Sequence, residues 1–96
     1  MNKQVNLKQL ALDGIAQLKT KRQLVNEGIL TKSKLDGSLR GFNNVKNDAG
    51  YYGSEMKNSL GKSLKIQRID EDSEYVSLID PKYNTSWAWP IECIAK

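Results

Sequence analysis

Apolar residues in the first part of the chain recur at helical spacing. Successive positions differ by three, four or seven residues, which places them on one face of a helix. These positions are Leu7, Ala11, Ile15, Leu18, Val25 and Ile29. Asn6 is a suitable N-terminal cap and Gly28 a suitable C-terminal stop. The pattern therefore predicts a helix over about residues 7–27, with a break near Thr20 as the alternative.

A second and weaker helical pattern follows the first. Leu35, Leu39 and Phe42 mark its apolar face, and a hydroxyl residue shortly before them can cap its start. A cluster of Asn residues after Phe42 signals its end. We therefore expect two helices within residues 1–47.

The pattern changes to strand-like alternation after residue 62. Before that point, residues 48–62 indicate a loop with one short helical turn, which begins at Ser54 and ends at Gly61. Three later stretches suit β-strands and are separated by polar turns. These stretches are residues 64–69, 74–79 and 85–94. Pro90 indicates an edge strand or a bulge in the last one.

The expected fold is α+β, with two N-terminal helices followed by a small three-stranded antiparallel meander. The helices are expected to cover one face of the meander. A chain of 96 residues favours a single small domain. Within it we distinguish a helical part (1–47), a loop with a short helical turn (48–62) and a β part (63–96).

The β part has a recognisable pattern. Its segments are Leu-Lys-Ile-Gln-Arg-Ile-Asp, Tyr-Val-Ser-Leu-Ile-Asp and Trp-Ala-Trp-Pro-Ile-Glu-Cys-Ile, within residues 64–94. This pattern resembles small SH3-like β modules such as Tudor and KOW-type barrels. The resemblance covers about a third of the chain. It implies an SH3-like arrangement of strands and transfers no ligand-binding residue.

Composition excludes several kinds of chemistry. The chain has no His, which removes the commonest general base and metal ligand. It has one Cys, Cys93, which cannot by itself supply a structural zinc site. We therefore expect a protein that is not an enzyme, with no catalytic residue, no metal and no cofactor.

The sequence also bears on location. No apolar run approaches the roughly 20 residues that span a bilayer, and the N-terminal residues lack the pattern of a signal peptide. A single thiol fits a reducing compartment. We therefore expect a cytoplasmic protein without membrane contact.

Aromatic residues suggest a protein-binding site. Trp and Tyr are enriched at binding hot spots, although two Trp residues on one strand face are more often core. The candidates are Tyr51, Tyr52, Tyr75, Tyr83, Trp87 and Trp89. The first hypothesis is a small protein that regulates or inhibits a protein partner. The Lys/Asn-rich composition is typical of many small proteins of phages and mobile elements.

Basic residues in the helical part suggest an alternative, a regulator that binds nucleic acid. Residues 1–62 contain 11 Lys or Arg and 5 Asp or Glu, whereas residues 63–96 contain 4 and 6. The candidate phosphate contacts are Lys19, Lys21, Arg22, Lys32, Lys34 and Arg40. A solvated lysine-rich face explains the same residues.

A homodimer is a further possibility. The helical stripe could bury itself against the sheet or against a second copy, and a dimer would enlarge the core of so small a chain. The residues of the stripe concerned are Ile15, Leu18, Val25 and Ile29.

Overall fold

Helices and short strands alternate in the first half of the chain, and longer strands dominate the second. The computed structural model describes residues 7–47, 50 and 52–95. The helices are α1 (Leu7–Asp13) and α2 (Lys21–Asn26), and 3₁₀ helices span Ser54–Ser59 and Ile91–Cys93. The strands are β1 (Ile15–Gln17), β2 (Thr31–Lys32), β3 (Leu39–Arg40), β4 (Ser63–Asp70), β5 (Tyr75–Asp80) and β6 (Thr85–Pro90). The fold is α+β. Within these described ranges, no helix has the length and apolar character needed to cross a membrane.

The main sheet has four antiparallel strands in the order β1-β4-β5-β6. Strands β4, β5 and β6 pair in chain order, with Leu78 opposite Trp87. Strand β1 pairs with β4 and places Ile15 opposite Lys65. The prediction of a three-stranded meander was wrong, because it left out β1, which lies inside the stretch predicted as the first helix. Strands β2 and β3 form a separate two-stranded sheet.

Gly14 ends the first helix. Its φ of +70° is left-handed, and its N–H donates to the carbonyl of Leu10 at 2.9 Å. A second helix begins after β1, where the Thr20 hydroxyl accepts from the Gln23 N–H at 3.2 Å and the Gln23 side chain accepts from the Thr20 N–H at 2.9 Å. The helix predicted over residues 7–27 is therefore two short helices separated by a strand.

The predicted second helix is a β-hairpin. Thr31 lies opposite Arg40 and Lys32 opposite Leu39. Leu35 lies in the turn and is exposed to solvent. The helical spacing of the apolar residues therefore does not mark one buried face.

Backbone hydrogen bonds join the end of the described chain to its first strand. The Lys19 N–H donates to the Cys93 carbonyl at 2.8 Å, and the Ala95 N–H donates to the Gln17 carbonyl at 2.7 Å. The opposite edge of β1 is paired with β4. The segment from β1 to Lys19 thus has hydrogen-bonded neighbours on both sides.

The last predicted strand is shorter than the alternation indicates. It ends at Pro90, which has no N–H to continue the ladder, and the 3₁₀ helix Ile91–Cys93 follows. Trp87 and Trp89 still point to the same side of the sheet. Trp89 is fully buried there and Trp87 is half-buried.

A single apolar core lies between the sheet and the segments that pack against it. Its buried residues are Leu10, Ala16, Leu18, Leu24, Ile29, Leu30, Phe42, Tyr52, Met56, Leu64, Val76, Leu78, Trp89, Cys93 and Ile94. Leu18 and Ile29 of the proposed dimer stripe belong to this core, whereas Ile15 points outward from β1. The stripe is therefore not one continuous face, and a homodimer stays a prediction.

Candidate functional site

The net positive charge of the chain lies in one segment. Residues 19–40 contain six Lys or Arg and two Asp or Glu, a net charge of +4. The rest of the chain contains nine of each sign, so this segment accounts for the formal charge of the whole chain. Its basic residues are the six nucleic-acid candidates, Lys19, Lys21, Arg22, Lys32, Lys34 and Arg40. We call residues 19–40 the basic segment.

The β2–β3 hairpin brings three of these candidates together. Lys32 and Arg40 lie in its strands and Lys34 in its turn, and all three are exposed. None of them forms an ion pair with a described residue. Thr31 and Arg40 share one face of the hairpin, and the adjacent pair, Lys32 and Leu39, shares the other. The hairpin therefore presents cationic groups on both of its faces.

Hydrogen bonds fix the turn of this hairpin. The Ser33 N–H donates to the Ser38 carbonyl at 2.7 Å, and the Ser33 hydroxyl accepts from the Leu35 N–H at 3.2 Å. The Asp36 carboxylate accepts from the Ser38 N–H at 2.9 Å and from its hydroxyl at 2.7 Å. These two bonds from Ser38 hold the pKa of Asp36 below its usual value. The acidic group of the hairpin is thus used within the turn.

The base of the hairpin is anchored in the core. Leu30 precedes β2, Phe42 closely follows β3, and both are buried. The Asn43 N–H donates to the Ile29 carbonyl at 2.8 Å, and the Asn43 side-chain amide donates to the Thr31 hydroxyl at 2.9 Å. The core and these bonds hold the base in place while the turn lies in solvent.

The other three basic candidates differ among themselves. Lys19 forms a 2.7 Å ion pair with Glu27, which compensates its charge locally. Lys21 and Arg22 are exposed in the first turn of α2 and have no ion pair with a described residue. Two cations of α2 and three of the hairpin are therefore available for an anionic partner.

Two of the aromatic candidates lie in the core. The ring of Trp89 is 6.4 Å from that of Tyr52 and 5.8 Å from that of Phe42, between ring centres. The indole N–H of Trp89 and the hydroxyl of Tyr52 have no hydrogen-bond partner among the described residues. Burial raises the pKa of Tyr52 to about 12. Both residues contribute to the interior in this structure.

Tyr75 is also buried, and its hydroxyl fastens a loop to the sheet. The hydroxyl accepts from the Gly50 N–H at 3.0 Å and donates to the Asn47 carbonyl at 2.7 Å. The residue before Asn47 is also bonded: the Lys46 N–H donates to the Glu92 carboxylate at 2.7 Å. The hydroxyl of Tyr75 is therefore used in hydrogen bonds within the chain.

The remaining aromatic candidates lie at or near the surface. The indole N–H of Trp87 donates to Oδ2 of Asp80 at 3.0 Å. Tyr83 is 44% exposed, and the Lys82 ammonium lies 5.5 Å from its ring centre. Tyr51 lies outside the described residues. Of the aromatic candidates that the structure describes, Tyr83 is the most exposed.

The outer sheet face carries two exposed apolar residues, of which Ile15 was not anticipated from the sequence. Ile15 on β1 is 50% exposed and Ile79 on β5 is 37% exposed. Lys65 on β4 lies opposite Ile15, and the pairing of Ile66 with Leu78 sets Lys65 beside Ile79 on the other side. The alternation of β1 could not be read from three residues within a helical stripe.

Leu35 was also missed as a surface residue, because its spacing assigned it to a helix face. It is 98% exposed. The signal that could have located it is the dipeptide Asp36-Gly37, since Asp-Gly favours hairpin turns. Gly37 has a φ of +75°, the left-handed conformation for which Gly is suited.

Groups with catalytic or metal-binding chemistry are used structurally. Cys93 is buried, and burial raises the pKa of its thiol. Oδ1 of Asp70 accepts from the N–H groups of Asp72 and Ser73 and thereby fixes the β4–β5 turn. Among the described residues, no three His, Cys, Asp or Glu side chains are grouped so that they could hold a metal ion.

Comparison with known proteins found no matching family model, no matching curated protein and no matching solved structure.

Proposed function

We propose that this chain is a non-enzymatic binding protein that contacts the phosphate backbone of nucleic acid through its basic segment. The observation that supports this most is the hairpin with three exposed cations, Lys32, Lys34 and Arg40, none of which forms an ion pair with a residue that the structure describes. It belongs to a segment whose charge equals that of the entire chain. The alternative reached from the sequence thus becomes the first candidate.

The chemistry of the segment suits an anionic polymer. Lys and Arg side chains that neutralise phosphates release condensed counterions, which favours binding without reading the sequence of the bases. The five available cations would give a logarithmic salt slope of about −4.5 if each contacted one phosphate. Affinity would then fall by roughly 500-fold between about 50 and 200 mM salt.

The structural use of the acidic and thiol groups supports a non-enzymatic role. Asp36, Asp70 and Asp80 accept backbone N–H bonds within turns, and Cys93 is buried. The chain has no His to act as a general base. A binding function makes use of the surface charges and requires none of these groups.

Fluorescence anisotropy with a labelled duplex DNA, measured over a salt series, tests the proposal. The triple variant Lys32→Ala, Lys34→Ala, Arg40→Ala should lower affinity and reduce the size of the salt slope by about 2.7. The matched control is Lys57→Ala, Lys65→Ala, Lys82→Ala, which removes the same charge from exposed positions outside the segment. Equal losses in both variants would show that only net charge matters and would contradict a site in the hairpin.

We also propose that the sheet is an SH3-like barrel, as the resemblance of residues 64–94 implies. Three features support this arrangement. Backbone hydrogen bonds join Ala95 to Gln17 and Lys19 to Cys93, so the segment after β6 pairs beside the first strand. A long insertion separates β1 from β4, and a 3₁₀ helix precedes the closing segment. An experimental structure in which the segment around Ile94 did not pair with β1 would contradict it.

A protein partner that the chain regulates or inhibits is the second candidate function. The outer sheet face with Ile15 and Ile79 favours it, because exposed apolar residues are common at protein interfaces. A pull-down from lysate with and without nuclease separates the two functions. A stoichiometric protein that survives nuclease and is lost on Ile15→Asp would favour the protein partner, whereas bands that all disappear with nuclease would favour nucleic acid.

A further inference from the structure

The turn of the basic hairpin presents one large apolar side chain to solvent. Leu35 is more exposed than any other large hydrophobic residue that the structure describes, and the next is Leu12 at 82%. A leucine side chain that stays in water contributes no hydrophobic stabilisation to the folded state. Its position, between Lys34 and the turn residues Asp36 and Gly37, places it at the part of the hairpin farthest from the anchored base.

The turn holds Leu35 in this position. The backbone N–H of Leu35 donates to the Ser33 hydroxyl, and both polar groups of Ser38 donate to the Asp36 carboxylate. A bond between Ser33 and Ser38 closes the turn below them. The apolar group is therefore displayed by an ordered support, which reduces the loss of conformational freedom on binding.

Cations lie on both sides of this support. Lys32 and Arg40 lie on opposite faces of the hairpin, and Lys34 is next to Leu35. A hairpin in a duplex groove has a phosphate backbone on each side of it. Cations on both faces can therefore meet the two backbones at once.

We propose that Leu35 is an apolar wedge that enters the minor groove of duplex DNA and kinks it at one base step. Side chains such as Leu can insert between base pairs from this groove, and the unstacking is offset by contacts that the bent duplex makes with the protein. Lys32, Lys34 and Arg40 would supply those contacts to the phosphates. The inference rests on the proposed function and adds the form of the nucleic acid and the role of Leu35.

The same residues fit a membrane less well. One leucine offers far less apolar area than a myristoyl chain, which alone holds proteins at membranes only marginally. An insertion between bases requires only one apolar side chain at a defined point. The single exposed leucine of the turn therefore favours duplex DNA over a lipid surface.

Bending of a duplex labelled at both ends with a donor and an acceptor dye tests the inference. The duplex should contain a central TA step, since such steps kink easily. Saturating wild-type protein should increase energy transfer. Leu35→Ala should abolish the increase, lower affinity by about tenfold and leave the salt slope unchanged, because no cation is removed. Leu12→Ala removes a similarly exposed leucine outside the hairpin and should behave like wild type.

The possible failures are distinguishable. Wild-type protein that does not bind the duplex overturns the proposed function together with this inference. Salt-dependent binding without bending, or bending that persists in Leu35→Ala, overturns the wedge and leaves phosphate binding intact. Tighter binding to anionic vesicles than to DNA, lost in Leu35→Ala, replaces the duplex with a membrane. Leu35 has no core contact, so loss of fold is not expected to obscure these results, and circular dichroism of the variant checks this.

Discussion

Trp87 and Asp80 form a hydrogen bond across neighbouring strands, with 3.0 Å between the indole nitrogen and Oδ2. The other carboxylate oxygen, Oδ1, accepts from the Lys82 N–H at 2.9 Å. Asp80 is buried, so its charge is sheltered from water and is satisfied by these two donors. One side chain thus joins β5, the following turn and β6.

Replacing Asp80 with Ala should destabilise the fold by about 1–3 kcal/mol, because the indole and backbone donors lose their acceptor. Chemical denaturation monitored by tryptophan fluorescence measures the change. Asp72→Ala removes an exposed carboxylate from the other turn and should alter the free energy of unfolding by less than about 0.5 kcal/mol. An equally small effect at Asp80 would contradict a structural role for the bond to Trp87.

Removing the Tyr75 hydroxyl should loosen the loop around Asn47 and Gly50. We expect Tyr75→Phe to cost about 1–2 kcal/mol, since one backbone N–H and one carbonyl lose their partner. Amide hydrogen exchange should show the largest loss of protection at Gly50. Tyr83→Phe alters an exposed tyrosine and should change neither quantity, so matching effects in the two variants would argue against the proposed contact.

The alkaline side of the stability profile should depend on Tyr52. Burial raises the pKa of its hydroxyl to about 12, so between pH 10 and 12 the unfolded chain loses this proton before the folded chain does. Stability should therefore fall as the pH rises through this range. Tyr52→Phe should be neutral or stabilising at pH 7, because the hydroxyl has no partner among the described residues, and should show a shallower fall above pH 10.

Thermal unfolding at pH 7 and pH 11 provides the measurement for Tyr52. Tyr83→Phe removes one tyrosine at an exposed site. It should retain the wild-type difference between the unfolding midpoint temperatures at pH 7 and pH 11. A Tyr52→Phe variant with the full wild-type difference would mean that other groups govern the alkaline transition.

The turn of the basic hairpin should respond to acid. The bonds from Ser38 lower the pKa of Asp36 below 3.8, so they favour the ordered turn above that pH and are lost as the pH falls through the lowered value. Carbon-13 NMR of the Asp36 carboxyl should follow this titration. Ser38→Ala should move the midpoint upward, whereas Lys57→Ala, outside the hairpin, should leave it in place.

Local pattern was sufficient for some elements of the fold and insufficient for others. The alternation around Leu64 and Val76 indicated strands because each stretch is long enough to show a period of two. Strand β1 has three residues, and the neighbouring Leu18 and Ala11 continue a helical spacing. Its identity depends on pairing with residues distant in the chain, which no local window contains.

The candidate site shows the same limit. Lys32, Lys34 and Arg40 are evident as basic residues from the sequence, but the pattern placed them on the solvated face of a helical hairpin. Their position on one hairpin depends on the turn at Asp36-Gly37, where turn chemistry overrides the helical spacing of Leu35 and Leu39. For Trp87 and Trp89, only the packing of the core distinguishes the half-buried ring from the buried one.

The backbone hydrogen bonds that join Gln17 to Ala95 and Lys19 to Cys93 have a consequence for biosynthesis. The ribosome delivers the first strand long before the residues that complete its second edge. Until residue 95 has emerged, the outer N–H and carbonyl groups of this strand lack their native partners and can pair with other chains. The native pairing of this strand is therefore completed only after residue 95 has been synthesised, and it depends on a contact between residues far apart in the chain.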